Sequence, residues 1–177
     1  MKGDIKVKKV INVFLVLTLV FSILTGCGNS ATKSSSQLKG FSEENGLLVY
    51  TDKINSPFEN SGLSISIKQG TDGYAKFIKT DKEGKETVDY YNFSYEKNQV
   101  EKYYYVSAMG TGFYYHYDLA SNTLLKVEDI DHKDTTKSVK DSGRWDNAVL
   151  KVDDEIKSLE KYFMDQYKMS IKDSVVK

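Results

Sequence analysis

From Leu47 to Ile130 apolar and polar residues alternate in short runs. Leu63, Ile65 and Ile67 alternate with Ser64, Ser66 and Lys68, and Tyr91, Phe93 and Tyr95 with Asn92 and Ser94. Tyr104, Val106 and Ala108 alternate with Tyr105 and Ser107, and Phe113, Tyr115, Tyr117 and Leu119 with Tyr114, His116 and Asp118. Leu125 and Val127 close the series against Lys126 and Glu128. A period of two marks strands with one buried face, and burial on one face alone belongs to antiparallel sheets. Short turn signals separate the runs: Gly70-Thr71-Asp72-Gly73, Asp81-Lys82-Glu83-Gly84, Lys97-Asn98, Gly110-Thr111-Gly112 and Ser121-Asn122. Connections this short join neighbouring strands. The pattern predicts strands near 47–51, 62–69, 74–80, 86–95, 99–109, 112–119 and 123–130.

After Asp134 the period changes. Trp145, Val149, Val152, Ile156, Leu159, Phe163 and Tyr167 recur at steps of three and four, which is one face of a helix. Lys151, Asp153, Asp154, Lys157, Glu160 and Lys161 fill the other face. Asp141 or Ser142 is the expected N-cap, and residues from Ser170 onward are expected to fray. A helix with one apolar stripe must bury it, and the apolar face of the sheet is the nearest partner. The predicted fold class is α+β: an antiparallel β-meander of about six or seven strands packed by one long C-terminal amphipathic helix.

The amino-terminal segment follows neither period. Met1 to Lys9 is basic, and Val10 to Leu24 is apolar apart from Asn12, Thr18 and Ser22. That run is shorter than the roughly 20 residues a permanent membrane-spanning helix needs. A basic start, a short apolar core and small residues before a cut site make a secretory signal. The tetrapeptide Leu24-Thr25-Gly26-Cys27 resembles the lipobox of bacterial lipoproteins. The resemblance implies cleavage between Gly26 and Cys27, a diacylglyceryl group on Cys27, and palmitate-type acylation of the new terminus. Two acyl chains suffice for stable anchoring. The expected organisation is a lipoprotein signal peptide over 1–26, a lipidated cysteine with a flexible Ser-rich tether over 27–40, and a single domain over 41–177. The expected location is the cell membrane, lipid-anchored on its extracytoplasmic face.

Charge and cysteine content narrow the chemistry. Formal net charge is zero, and Lys2, Lys6, Lys8 and Lys9 against Asp4 make the leader +3, so the remainder is −3. Arg144 is the only arginine. A weakly acidic domain with one guanidinium lacks the clustered positive field that grips phosphate backbones, so no nucleic-acid partner is expected. Cys27 is the only cysteine. Once it carries lipid, no thiol remains for a disulfide, a thiolate metal site or a cysteine nucleophile.

Tyrosine is the unusual residue. There are 13, and nine fall between Tyr90 and Tyr117. Alternation directs Tyr91, Tyr95, Tyr104, Tyr115 and Tyr117 toward the helix. It directs Tyr90, Tyr103, Tyr105 and Tyr114 to the opposite face, with His116 beside them. Tyrosine offers rigid area and a polar tip, so these five residues form a candidate binding face for an envelope protein or a glycan. Cross-strand aromatic pairing that stabilises the sheet, or a cover supplied by residues 41–60, accounts for the same pattern.

Other candidates carry less. His116 and Asp118 share a face, but two ligands do not make a metal site, and His132, the only other histidine, falls in a loop. Residues 128–134 alternate carboxylates without the Gly and distal Glu of an EF-hand. No nucleophile elbow, phosphate loop, zinc-protease or dinucleotide motif is present. Neither cofactor nor metal is expected. The expected function is a non-catalytic binding module of the cell envelope. The alternatives are a small envelope hydrolase using carboxylates such as Asp118 and Glu128, and an inhibitor or immunity lipoprotein presenting the 52–62 segment. Replacing Cys27 by Ala abolishes lipid labelling and releases the chain from lipid-dependent retention. Metabolic labelling with a palmitate analogue checks this, and a labelled, membrane-retained Cys27→Ala protein would contradict it.

Overall fold

The computed structural model describes residues 38–176. The signal segment, Cys27 and most of the tether lie outside them. No helix among the described residues is long and apolar enough to cross a membrane.

Eight strands form one antiparallel sheet in sequence order: β1 (Ser42–Glu44), β2 (Leu47–Asp52), β3 (Gly62–Lys68), β4 (Tyr74–Thr80), β5 (Glu86–Ser94), β6 (Gln99–Val106), β7 (Thr111–Asp118) and β8 (Thr123–Asp129). Three helices follow: α1 (Thr136–Asp141), α2 (Trp145–Tyr167) and α3 (Ile171–Val175). The α+β meander with a long C-terminal helix is therefore the observed architecture. Strand β1 goes beyond the seven strands read from the alternation. It is a three-residue hairpin arm whose residues are all exposed, so it has no buried face to betray it. The predicted end of β6 is cut short by a 3-10 turn at Ser107–Met109 that closes on Gly110 in the left-handed region.

One face of the sheet holds the core. Across the register Ile65, Phe77, Tyr91, Lys102, Tyr115 and Val127 lie in one row. Val152, Ile156, Leu159 and Phe163 of α2 are buried against this face, and Phe163 meets Phe77 edge-on at 6.1 Å. Each such side chain contributes about 1.5–3 kcal/mol by leaving water. Tyrosine tips tie the helix to the sheet. Tyr117 donates to Asp153 at 2.7 Å, and Tyr162 donates to Asp52 at 2.8 Å. Burial raises the Asp52 carboxyl's pKa, but the N–H groups of Asn55 and Ile54 and the Tyr162 hydroxyl outweigh that and leave it below the ordinary range.

Four local expectations are corrected. Leu124, not Leu125, points into the core: Leu124 is 5 % exposed and Leu125 is 52 % exposed. The register shifts between His116/Lys126 and Tyr117/Leu124, so Leu125 is an extra residue on β8. A bulge of this kind breaks the two-residue period. The C-terminal tail does not fray. Ser170 caps α3 by accepting the Asp173 N–H at 3.0 Å, and Ile171 and Val175 are buried. Gly73 sits under Val175, and the Gly70 N–H donates to its carbonyl at 2.9 Å, which pins α3 to the β3–β4 turn. Neither Asp141 nor Ser142 caps α2: both belong to the end of α1, and α2 starts after Arg144 with no side-chain cap. Leu38, assigned to the tether, is 3 % exposed, so packed chain begins before residue 41.

The core row contains one charge. Lys102 is buried between sheet and helix and paired with Glu155 of α2. Burial lowers the Lys102 pKa, and Glu155 works the other way. Breaking such a pair leaves a stranded charge and costs about 3–5 kcal/mol, whereas replacing both partners with apolar groups is often neutral or stabilising. Lys102→Met is therefore expected to lower stability by about 3–5 kcal/mol, and Lys102→Met with Glu155→Leu to restore most of it. Urea unfolding of the three proteins checks this.

Candidate functional site

The face of the sheet turned away from α2 carries the predicted tyrosines. Tyr90, Tyr103 and Tyr114 are direct cross-strand partners on β5, β6 and β7. Their rings form a ladder, with centroids 5.8 Å apart between Tyr90 and Tyr103 and 4.7 Å apart between Tyr103 and Tyr114. His132, from the turn after β8, continues it by stacking on Tyr114 at 4.3 Å and 21°. Lys76 caps the other end, its ammonium 4.2 Å from the Tyr90 centroid. The ladder therefore spans β4 to the turn beyond β8.

The spacing decides how the rings stand. Two rings lying flat side by side cannot bring their centroids as close as 4.7 Å without overlapping. The Tyr103–Tyr114 value matches the spacing of neighbouring strands, about 4.8 Å, and the Tyr90–Tyr103 value is about an ångström wider. Tyr90 and Tyr103 stack at 26°, whereas Tyr103 and Tyr114 are tilted by 41°, so the rings pack on one another across the strands rather than lying flat. The ring faces are turned largely toward one another, while the Tyr90 hydroxyl is held by Glu101 and the Tyr103 hydroxyl lies over Gly112. The candidate binding face is thus a row of packed rings rather than of open ring faces.

Polar partners fix the row. The Tyr90 hydroxyl donates to Glu101 at 2.7 Å, and burial followed by this hydrogen bond raises the Tyr90 pKa. Tyr103 leans over Gly112, where a Cβ would overlap its hydroxyl and Cζ. Tyr105 lies opposite Gly112, outside the ladder, and its backbone N–H donates to Asp89 at 2.9 Å. All four tyrosines are partly exposed.

His116 is corrected from a surface residue to a buried one, 8 % exposed. It lies on the ladder side, paired across β7–β8 with Lys126, and its Nε2 is 2.9 Å from Glu128 Oε2. Lys126 also pairs with Glu128, and His132 Nδ1 is 3.7 Å from the same carboxylate oxygen. The hydrogen bond from Lys126, with a further one from His116, holds the Glu128 carboxyl below its ordinary pKa. Glu128 thus fastens both histidines beside the tyrosine row. Among the described residues no group of three or more His, Cys, Asp and Glu is placed to hold a metal ion.

Asp118 and Glu128, the candidate hydrolase carboxylates, are not brought together. Glu128 faces Tyr114, and Asp118 is four residues further along β7, roughly 13 Å at strand rise. Paired carboxylates of glycosidases stand within about 10 Å of each other. The N–H and hydroxyl of Ser121 hold Asp118 below its usual pKa, so neither group is poised as a general acid at neutral pH.

Sequence reasoning missed His132, Lys76 and Glu101 as parts of this surface. His132 has a positive φ of 60° in the turn between Asp129 and Asp134, and no periodicity reports where such a turn folds back. Lys76 and Glu101 follow from register, once Lys76, Asn92, Glu101 and His116 are seen to share a row. Against known proteins, no family model, no curated protein and no solved structure matches the chain.

Gly112 is the point where the ladder is most easily broken. Gly112→Ala is expected to lift Tyr103 off its neighbours and to cost about 1–3 kcal/mol, as overpacking does. Loss of near-ultraviolet tyrosine dichroism with far-ultraviolet signal retained is the expected signature.

Proposed function

We propose that this chain is a lipid-anchored, extracytoplasmic lipoprotein whose tyrosine face is a non-catalytic docking surface for an envelope protein. The observation that carries the reading is the ladder Tyr90–Tyr103–Tyr114–His132, partly exposed on the face opposite α2. Its packed rings favour a protein over a glycan. Stacking a sugar needs an open ring face, whereas ring edges and hydroxyls suit backbone and side-chain hydrogen bonds at a protein interface. His116 hydrogen-bonded to Glu128, and Lys126 paired with the same carboxylate, lie beside the row and supply the polar rim such interfaces carry.

The lipobox-like Leu24-Thr25-Gly26-Cys27 supports the anchored location. A second reading, an inhibitor or immunity lipoprotein, is favoured by one feature: Ile54 is 88 % exposed on a loop braced by Asp52, which accepts the N–H groups of Ile54 and Asn55.

The test uses the lipidated full-length chain as bait in intact envelopes. Tyr103→Phe with Tyr114→Phe keeps the stack and removes the tips. It is expected to leave stability within about 1 kcal/mol of the native value and to reduce quantitative recovery of the partner about tenfold. Tyr103→Ser with Tyr114→Ser removes the stack. Unchanged recovery by the folded Phe variant would refute docking through this face, and loss of recovery only with Ile54→Asp would favour the second reading.

A further inference from the structure

A second feature lies on the opposite side of the sheet, where the start of α2 crosses β7 and β8. A cleft of about 340 Å³ opens there. Phe113 and Tyr115 of β7 and Val127 of β8 form its floor, and Val139 of α1 and Ala148 of α2 form its walls. Arg144 and Lys151 stand on its rim. They are seven residues apart, Arg144 immediately before α2 and Lys151 two turns along, so they stand on the same side of the helix start.

The lining contains two cations and no carboxylate. Neither cation is neutralised elsewhere among the described residues. The Arg144 Nε donates to the Ser142 hydroxyl at 2.8 Å, and the Lys151 ammonium rests 5.1 Å from the Tyr104 ring centroid. The larger cleft at the other end of α2, about 600 Å³, is different. It contains Glu160, and its Lys157 and Lys161 are paired with Asp153 and Asp165. Among the described residues the smaller cleft has two cations without an ion pair and no carboxylate, whereas the larger has only Lys172 without an ion pair and carries Glu160.

We propose that this cleft binds a small amphipathic carboxylate, with the carboxylate on Arg144 and the apolar body on Phe113, Tyr115 and Val127. The planar guanidinium matches a carboxylate through two parallel hydrogen bonds, and Lys151 adds a point charge on the same rim. At about 340 Å³ the cleft lies at the small end of ligand pockets, which run roughly 300–1,000 Å³. That suits an arylalkyl acid rather than a long lipid chain or a bare anion. Binding here is independent of the tyrosine face, since the two sites occupy opposite sides of the sheet.

The probe is 3-phenylpropanoate, titrated by calorimetry into the full-length chain in neutral detergent. Its neutral counterpart is 3-phenylpropan-1-ol. Saturable one-site binding of the acid is expected, with the alcohol at least about tenfold weaker. Arg144→Gln is expected to weaken the acid about tenfold and Lys151→Gln about threefold, with thermal stability retained because both side chains are exposed. Ala148→Phe, which fills the cleft, is expected to abolish binding of both probes. Equal affinity for acid and alcohol, native affinity in both charge variants, or no saturable heat would each overturn the proposal. Recovery of the envelope partner by the tyrosine face is expected to be the same with and without the acid.

Discussion

A pleated sheet has two faces, and the described residues supply one long helix to cover them. That constraint arranges everything else. Residues one apart on a strand point oppositely, so burying Ile65, Phe77 and Tyr91 beneath α2 turns Ser64, Ile78 and Tyr90 outward. The covered face is filled with aliphatic and aromatic residues and tolerates one charge, Lys102, because Glu155 of the helix meets it. The other face has no second layer among the described residues. It is stabilised instead by side chains packing sideways on one another, across the strands rather than away from the sheet. The tyrosine ladder is the result: neighbouring rings pack on one another across the strands and cover much of each other's faces.

Much of this was legible because it follows from period. The alternation over β3 to β7 placed Tyr91 and Tyr117 inside and Tyr90, Tyr103 and Tyr114 outside, as they stand. The stripe from Trp145 to Tyr167 matches the extent of α2, although the expected cap at Asp141 or Ser142 fell at the end of α1. What failed were features in which one residue interrupts a period or a contact comes from far along the chain. The extra Leu125 reverses the facing of Leu124 and Leu125, and nothing local to β8 distinguishes a bulge from a regular strand. His116 sits on the face the alternation assigned it, yet it is buried, because Glu128 from the next strand closes over it. Two misses had local signals. Asn45-Gly46, with φ of 52° and 78°, is a two-residue hairpin turn that announces β1. Ser170 followed three residues later by Asp173 announces the cap of α3.

The candidate sites were legible to different degrees for the same reason. A row of cross-strand partners is a property of register, and register follows once the strands and turns are assigned. The cleft under the start of α2 is not. Arg144 and Lys151 stand on the same side of the helix start by spacing, but their position above Phe113, Tyr115 and Val127 depends on where α1 ends and how α2 leaves it. That junction is set by Gly143 at φ 71° and by the Arg144 N–H reaching the Val139 carbonyl at 3.2 Å. Neither contact has a counterpart in hydrophobic pattern.

The two faces also differ in what they ask of a ligand. The ladder is already packed, so a partner there gains little by stacking and must gain by satisfying hydroxyls and the charges around Glu128. The cleft is open and apolar with uncommitted cations at its lip, so a ligand there gains by burial and is selected by charge. A surface of the first kind suits a broad, polar protein contact, in which few residues carry most of the energy. A site of the second kind suits a small molecule. Because α2 and the sheet form one packed unit through Lys102–Glu155, Tyr117–Asp153 and Tyr162–Asp52, the two surfaces are held in fixed relation by the core between them. Occupancy of one can influence the other only by deforming that core, and close-packed interiors resist such deformation.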